Sequence, residues 1–155
     1  MKNKIPFIIC VLAIIGLADS TYLALVHYNI VEYALPSTGS TCNFTAGSCE
    51  SLVRYDQTLL FGIPNSMLGI AYYTVITAVA FMRIYTRKWP AHWLLLGFIF
   101  GSLLFSVYLV HLLIYVIHIP CPFCLAAHAI NLTIALLYMV SLHQDTEIMH
   151  PVWHA

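Results

Sequence analysis

Four long apolar runs dominate the chain, at residues 5–28, 66–84, 94–118 and 121–142, and polar residues collect between them and at the two ends. At about 1.5 Å of rise per residue, a helix of about 20 residues crosses a hydrocarbon core of about 30 Å, so each run predicts a membrane-spanning helix. The first run follows a short basic start, and it is too long, with no small-residue cleavage site after it, to read as a signal peptide. Residues 29–65 form a long loop in which Pro36, Ser37, Gly39, Asn43 and Gly47 are turn formers. Within it, Leu52, Tyr55, Leu59 and Leu60 recur at helical spacing while Glu50, Arg54, Asp56 and Gln57 fall elsewhere. That pattern predicts a short amphipathic helix on the membrane surface, broken by Phe61-Gly62-Ile63-Pro64-Asn65 before the chain re-enters the bilayer. Trp89, Pro90, His92 and Trp93 predict an interfacial turn after the second run. Gly97, Gly101 and Ser102 predict a small-residue packing surface on the third. A very short turn through Ile119 and Pro120 leads into the fourth, and a polar tail, 143–155, closes the chain.

The expected fold class is thus an all-α integral membrane protein: a four-transmembrane-helix bundle forming a single domain over 1–155, with an external loop and a short amphipathic helix between the first two spans. Composition agrees, because 61% of the 155 residues are hydrophobic and only 8% are charged, against roughly 25% in soluble domains. A net charge of zero with six Lys plus Arg leaves no electrostatic footprint for nucleic acid. Five of those six, Lys2, Lys4, Arg83, Arg87 and Lys88, belong to the N-terminus and the second connection, which an even-numbered bundle puts on one side. By the positive-inside rule that side is cytoplasmic, as are both termini. The first loop and the start of the fourth span then face outward.

The same topology gathers Cys42, Cys49, Cys121 and Cys124 at one oxidising face, while Cys10 sits mid-span as a small hydrophobe. Cys121 and Cys124 form a C-x-x-C pair at a helix mouth, where free N–H groups and the helix dipole favour a thiolate. At about 3.6 residues per turn, His128 and Asn131 continue their stripe. A C-x-x-C pair serves thiol redox chemistry, a metal site or a structural disulfide. A second pair on a polar loop, opposite one at a helix mouth, favours exchange through a mixed disulfide. The alternative from another class is a Cys/His metal-binding or transport protein, with His111 and His118 near Cys121; four thiolates do suit closed zinc sites.

A dithiol at membrane depth needs an electron acceptor that resides there, and a quinone fits. Asn65, at the start of the second span, and His128, one turn beyond Cys124, are candidates to hydrogen-bond its carbonyl oxygens; each also reads as an ordinary interhelical hydrogen bond. Asp19 is the acidic residue of the first span, a functional candidate or a packing residue beside Ser20 and Thr21.

The paired-cysteine loop after the first span, Gly62-Ile63-Pro64-Asn65-Ser66-Met67-Leu68-Gly69 leading into the second, and Cys121-Pro122-Phe123-Cys124 opening the fourth resemble the vitamin K epoxide reductase family, in its compact prokaryotic form. The resemblance covers about 5–142. It implies that Cys124 reacts with the quinone, Cys121 is its disulfide partner, and Cys42 and Cys49 are a shuttle pair. Cys42 would exchange with an external thioredoxin-like protein of the DsbA type, and Cys49 would pass electrons to Cys121. Asn65 falls on the family's quinone-bonding asparagine. His128 stands where the vertebrate enzymes place a quinone-contacting tyrosine, and Ser51 is the only match to the serine-rich stretch that often follows the second loop cysteine. With no thioredoxin-like domain after the bundle, a separate partner is expected, together with a ubiquinone, menaquinone or vitamin K type acceptor in a prokaryotic plasma membrane. The DsbB-like quinone reductases carry their pairs in the opposite order. Asn43-Phe44-Thr45 is a glycosylation sequon by pattern alone.

Overall fold

The computed structural model describes residues 4–28, 30, 59–60, 63–87, 89–116 and 122–149. Four helices long and apolar enough to cross a membrane make up the described chain. They are α1 (Lys4–His27), α2 (Asn65–Thr86), α3 (His92–His111) and α4 (Pro122–Met149). A π-helical turn, Leu112–Val116, prolongs α3. Two short strands, β1 (Leu59–Leu60) and β2 (Ile63–Pro64), pair antiparallel just before α2, with Leu60 opposite Ile63. The loop cysteines Cys42 and Cys49, with Cys121 and His118, lie outside the described residues.

Three expectations change. Leu59 and Leu60 belong to a strand pair and not to the amphipathic helix, whose remaining residues lie outside the described part. Pro64, which has no N–H to donate, ends β2, and α2 begins immediately after it. The fourth helix continues to Met149, well into the stretch expected to be a polar tail, which holds no Gly or Pro before Pro151 to break it. Finally, Gly97 and Gly101 do not pack against another helix, since a Cβ at either would meet no atom within 4 Å.

The close-packing glycines are elsewhere. A Cβ on Gly16 would lie 2.5 Å from the Tyr73 ring, and one on Gly69 would lie 2.6 Å from Ser20 Oγ. With no hydrophobic force between helices in lipid, backbone approach through small residues drives association. Accordingly α1 and α2 form the tightest antiparallel pair; α4 packs on α1 and α3, while α2 and α3 do not pack closely on each other.

The buried core occupies one half of the bundle. Ile9 and Ala13 of α1, Ile76 and Ala80 of α2, Leu95 and Ile99 of α3, and Ile134, Ala135 and Tyr138 of α4 form it. Its end is tied by Trp89, whose indole N–H donates to Ser141 Oγ at 3.1 Å and whose ring meets Tyr138 edge-on. The Arg83 guanidinium lies 5.5 Å from the Trp89 ring centre, a cation–π contact. Outward-facing positions are apolar, with Trp93, Leu94 and Val107 more than two-thirds exposed, as a lipid-facing surface requires. Packing is therefore complete near the α2–α3 turn and incomplete at the other end, where Cys124 sits.

Candidate functional site

The space left between α2 and α3 is a cavity of about 660 Å³, with α4 as its floor and Ser20 and Leu23 of α1 at its side. Large apolar residues, among them Phe98 and Phe105, provide much of its wall. Asn65, Cys124, His128 and Asn131 all line it. The stripe expected on the fourth span is thus real for its three described members, Cys124, His128 and Asn131. Its first member, Cys121, lies outside the described residues.

Each position has a local cause. Pro122 opens α4, where its missing N–H costs nothing and its fixed φ suits the first turn. That start brings Cys124 into the first turn and aims it at the cavity. Asn65 is the first residue of α2, after Pro64, and no side chain caps that helix end. Its first-turn N–H groups consequently add positive potential beside the cavity. The Asn65 carboxamide has no hydrogen-bond partner among the described residues and is available to a ligand.

A polar network that sequence reasoning missed crosses the cavity floor. The Tyr72 hydroxyl donates to Asn131 Oδ1 at 2.6 Å. Asn131 Nδ2 donates to Ser106 Oγ at 2.8 Å and to the Ser102 carbonyl at 3.3 Å. Ser106 Oγ lies 3.1 Å from His128 Nδ1. The Ser102 hydroxyl has one proton to share between the Ile99 carbonyl at 2.7 Å and Asn131 Oδ1 at 3.2 Å. Beside it, the Tyr73 hydroxyl donates to the Ala127 carbonyl at 2.7 Å. Two tyrosines of α2 thereby tie that helix to α4, against which it otherwise packs little. The signal in the sequence was faint: Ser102 and Ser106 four apart in an apolar span, and Asn131 on the cysteine stripe.

Asp19 does not line the cavity, and its Oδ2 is buried without a hydrogen-bond partner among the described residues. Ser66, on the cavity wall, likewise has a buried, unpartnered hydroxyl. Cys10 forms no disulfide and packs against the core, as a small hydrophobe would. Among the described residues no cluster of three His, Cys, Asp or Glu could hold a metal ion, and the other cysteines of the metal reading lie outside them. His111 stacks near Tyr115, ring centres 5.0 Å apart.

The profile of the Vitamin K epoxide reductase family matches residues 7–139, a span that reaches into all four helices. The chain belongs to the vitamin K epoxide reductase family. A search among curated proteins returns no match. Membership makes it a helical integral membrane oxidoreductase, from a family whose members use quinones as electron acceptors. A vitamin K epoxide reductase relative with an apolar cavity at the mouth of its fourth span has somewhere to seat an apolar ring beside a thiol.

Proposed function

We propose that this protein is a thiol:quinone oxidoreductase that carries electrons from a DsbA-type, thioredoxin-like partner to a membrane quinone, so that disulfides can be made in exported proteins. The observation that carries the reading is the shared wall: Cys124, Asn65 and His128 border one largely apolar cavity within the spans. A redox thiol and two polar side chains converge where a flat, lipid-borne ring would sit.

The relay starts at Cys42 and Cys49, whose disulfide is attacked by the reduced partner. Cys49 then exchanges with Cys121, which leaves the Cys121–Cys124 pair reduced and the loop pair oxidised. Re-forming the Cys121–Cys124 disulfide releases two electrons and two protons, which together convert one quinone to one quinol. Each exchange passes through a mixed disulfide, and net flow requires the potentials to rise along the path. Asn65 donates from its carboxamide to one quinone oxygen and His128 to the other, favouring the charge that gathers there as the ring is reduced. The exposed, unobstructed backbone at Gly97 and Gly101 leaves room beside the cavity for a substituent that continues into lipid.

Orientation follows from charge. Lys4, Arg83 and Arg87 sit at the bundle end opposite Cys124, which favours a cytoplasmic position for that end and an outward-facing active site in a prokaryotic plasma membrane.

The test is purified protein in mild detergent, given a reduced DsbA-type protein and analogues of ubiquinone, menaquinone or vitamin K. One quinone reduced per dithiol oxidised is the expected stoichiometry. Failure to reduce any of the three overturns the reading, and a wild-type rate in Cys42→Ala overturns the shuttle assignment.

A further inference from the structure

The hydrogen-bond chain across the cavity floor has a direction, and that direction reaches His128. One terminal atom of the Asn131 carboxamide lies 3.3 Å from the Ser102 carbonyl oxygen. A carbonyl only accepts, so that atom is assigned as the nitrogen, and this sets the orientation of the amide. At its other end the amide oxygen receives the Tyr72 hydroxyl at 2.6 Å. The nitrogen also donates to Ser106 Oγ at 2.8 Å, which makes the Ser106 oxygen an acceptor there. The Ser106 oxygen has a second lone pair, but if His128 donated to it the Ser106 proton would have no acceptor among the described residues; donation to His128 Nδ1, at 3.1 Å, satisfies every group. A ring nitrogen that accepts carries no proton in a neutral imidazole, so the proton resides on Nε2.

We propose that Ser106 and Asn131 are positioning residues that hold His128 as its Nε2–H tautomer, offering that N–H to a quinone oxygen in the cavity. The proposal rests on the quinone reading above. Asn131 is only 5% exposed, and both ends of its amide are engaged, so it has nothing left to give a ligand and acts through Ser106. His128 lines the cavity, and among the described residues its ring bonds only to Ser106. It therefore serves as a donor to the reacting ring and not as a base that takes a proton from it.

The experiment uses the full chain in detergent micelles with ¹⁵N-labelled histidine, the His128 resonances being assigned by their loss in His128→Gln. The expected spectrum shows an unprotonated, hydrogen-bonded Nδ1 and a protonated Nε2. In Ser106→Ala the Nδ1 resonance moves toward the value of a non-bonded ring nitrogen, and Ser106→Thr restores it. With decylubiquinone as acceptor and dithiothreitol as donor, Ser106→Ala raises KM for the quinone by about tenfold with a smaller change in kcat, the scale of one hydrogen bond. A protonated Nδ1 in the wild type, or a Ser106→Ala resonance that does not move, overturns the tautomer assignment. A KM for Ser106→Ala within about twofold of wild type overturns its link to the quinone, since one lost hydrogen bond is worth more than that. If the wild type reduces no quinone, the functional reading fails, while the spectrum still decides the tautomer.

Discussion

The Tyr72 hydroxyl reaches Asn131 Oδ1 at 2.6 Å and so joins α2 to α4, two helices that otherwise pack little on each other. In lipid such a bond is worth about 0.5–1.5 kcal/mol, because the separated helices also find polar partners. Tyr72→Phe removes it while keeping the ring, which also meets Phe98 at 5.3 Å. The expected result is a loss of about 1 kcal/mol in denaturant unfolding in detergent. Quinone reduction should fall further than that stability loss explains, because Asn131 then turns more freely under Ser106.

The two kinds of glycine should separate by phenotype. Gly16→Ala drives a methyl into the Tyr73 ring and Gly69→Ala drives one into Ser20, so each should cost about 1–3 kcal/mol and lower the unfolding midpoint. Gly97→Ala and Gly101→Ala meet no neighbour, and should leave that midpoint unchanged. Because both line the cavity, they should instead change KM for long-tailed quinones more than for short ones. Thermal unfolding and steady-state kinetics on the same four variants check this.

Asn65 should behave as a ligand contact and not as a structural one. Its carboxamide has no partner among the described residues, so Asn65→Ala leaves no buried group stranded. Stability should change little, whereas kcat/KM for the quinone should fall by about 100-fold, the usual effect of removing one donor to a developing negative charge. A parallel loss of both quantities would return Asn65 to the role of helix packing.

The cysteines provide a contrast within one residue type. Cys10 packs against the core, and Cys10→Ser should cost about 1 kcal/mol in stability with the turnover unchanged. Cys124→Ser should abolish quinone reduction by at least about 100-fold while the protein remains folded, because a hydroxyl cannot replace a thiolate as nucleophile. Circular dichroism, read beside a quinone absorbance assay, separates the two.

The number and order of the spans were legible in the sequence, since a membrane accepts only long apolar helices, whereas the end of the fourth was not, because a polar stretch that leaves the apolar run can stay helical as far as Met149. The stripe of Cys124, His128 and Asn131 was equally legible, because helical periodicity alone aligns them. The boundary around Leu59 and Leu60 was not, as two leucines before a Gly-x-Pro turn fit a short strand as well as a helix. Nor could the sequence say which glycines are squeezed: Gly16 and Gly97 look alike in apolar runs, and only the neighbour across the interface distinguishes Tyr73 from empty space. The polar network was hidden for the same reason. Tyr72, Ser102, Ser106 and Asn131 are far apart in the chain, and their hydrogen bonds exist only once α2, α3 and α4 are set around the cavity. Covalent spacing determined which side chains share a face; helix packing decided which of those faces meet, and so which hydrogen bonds surround His128.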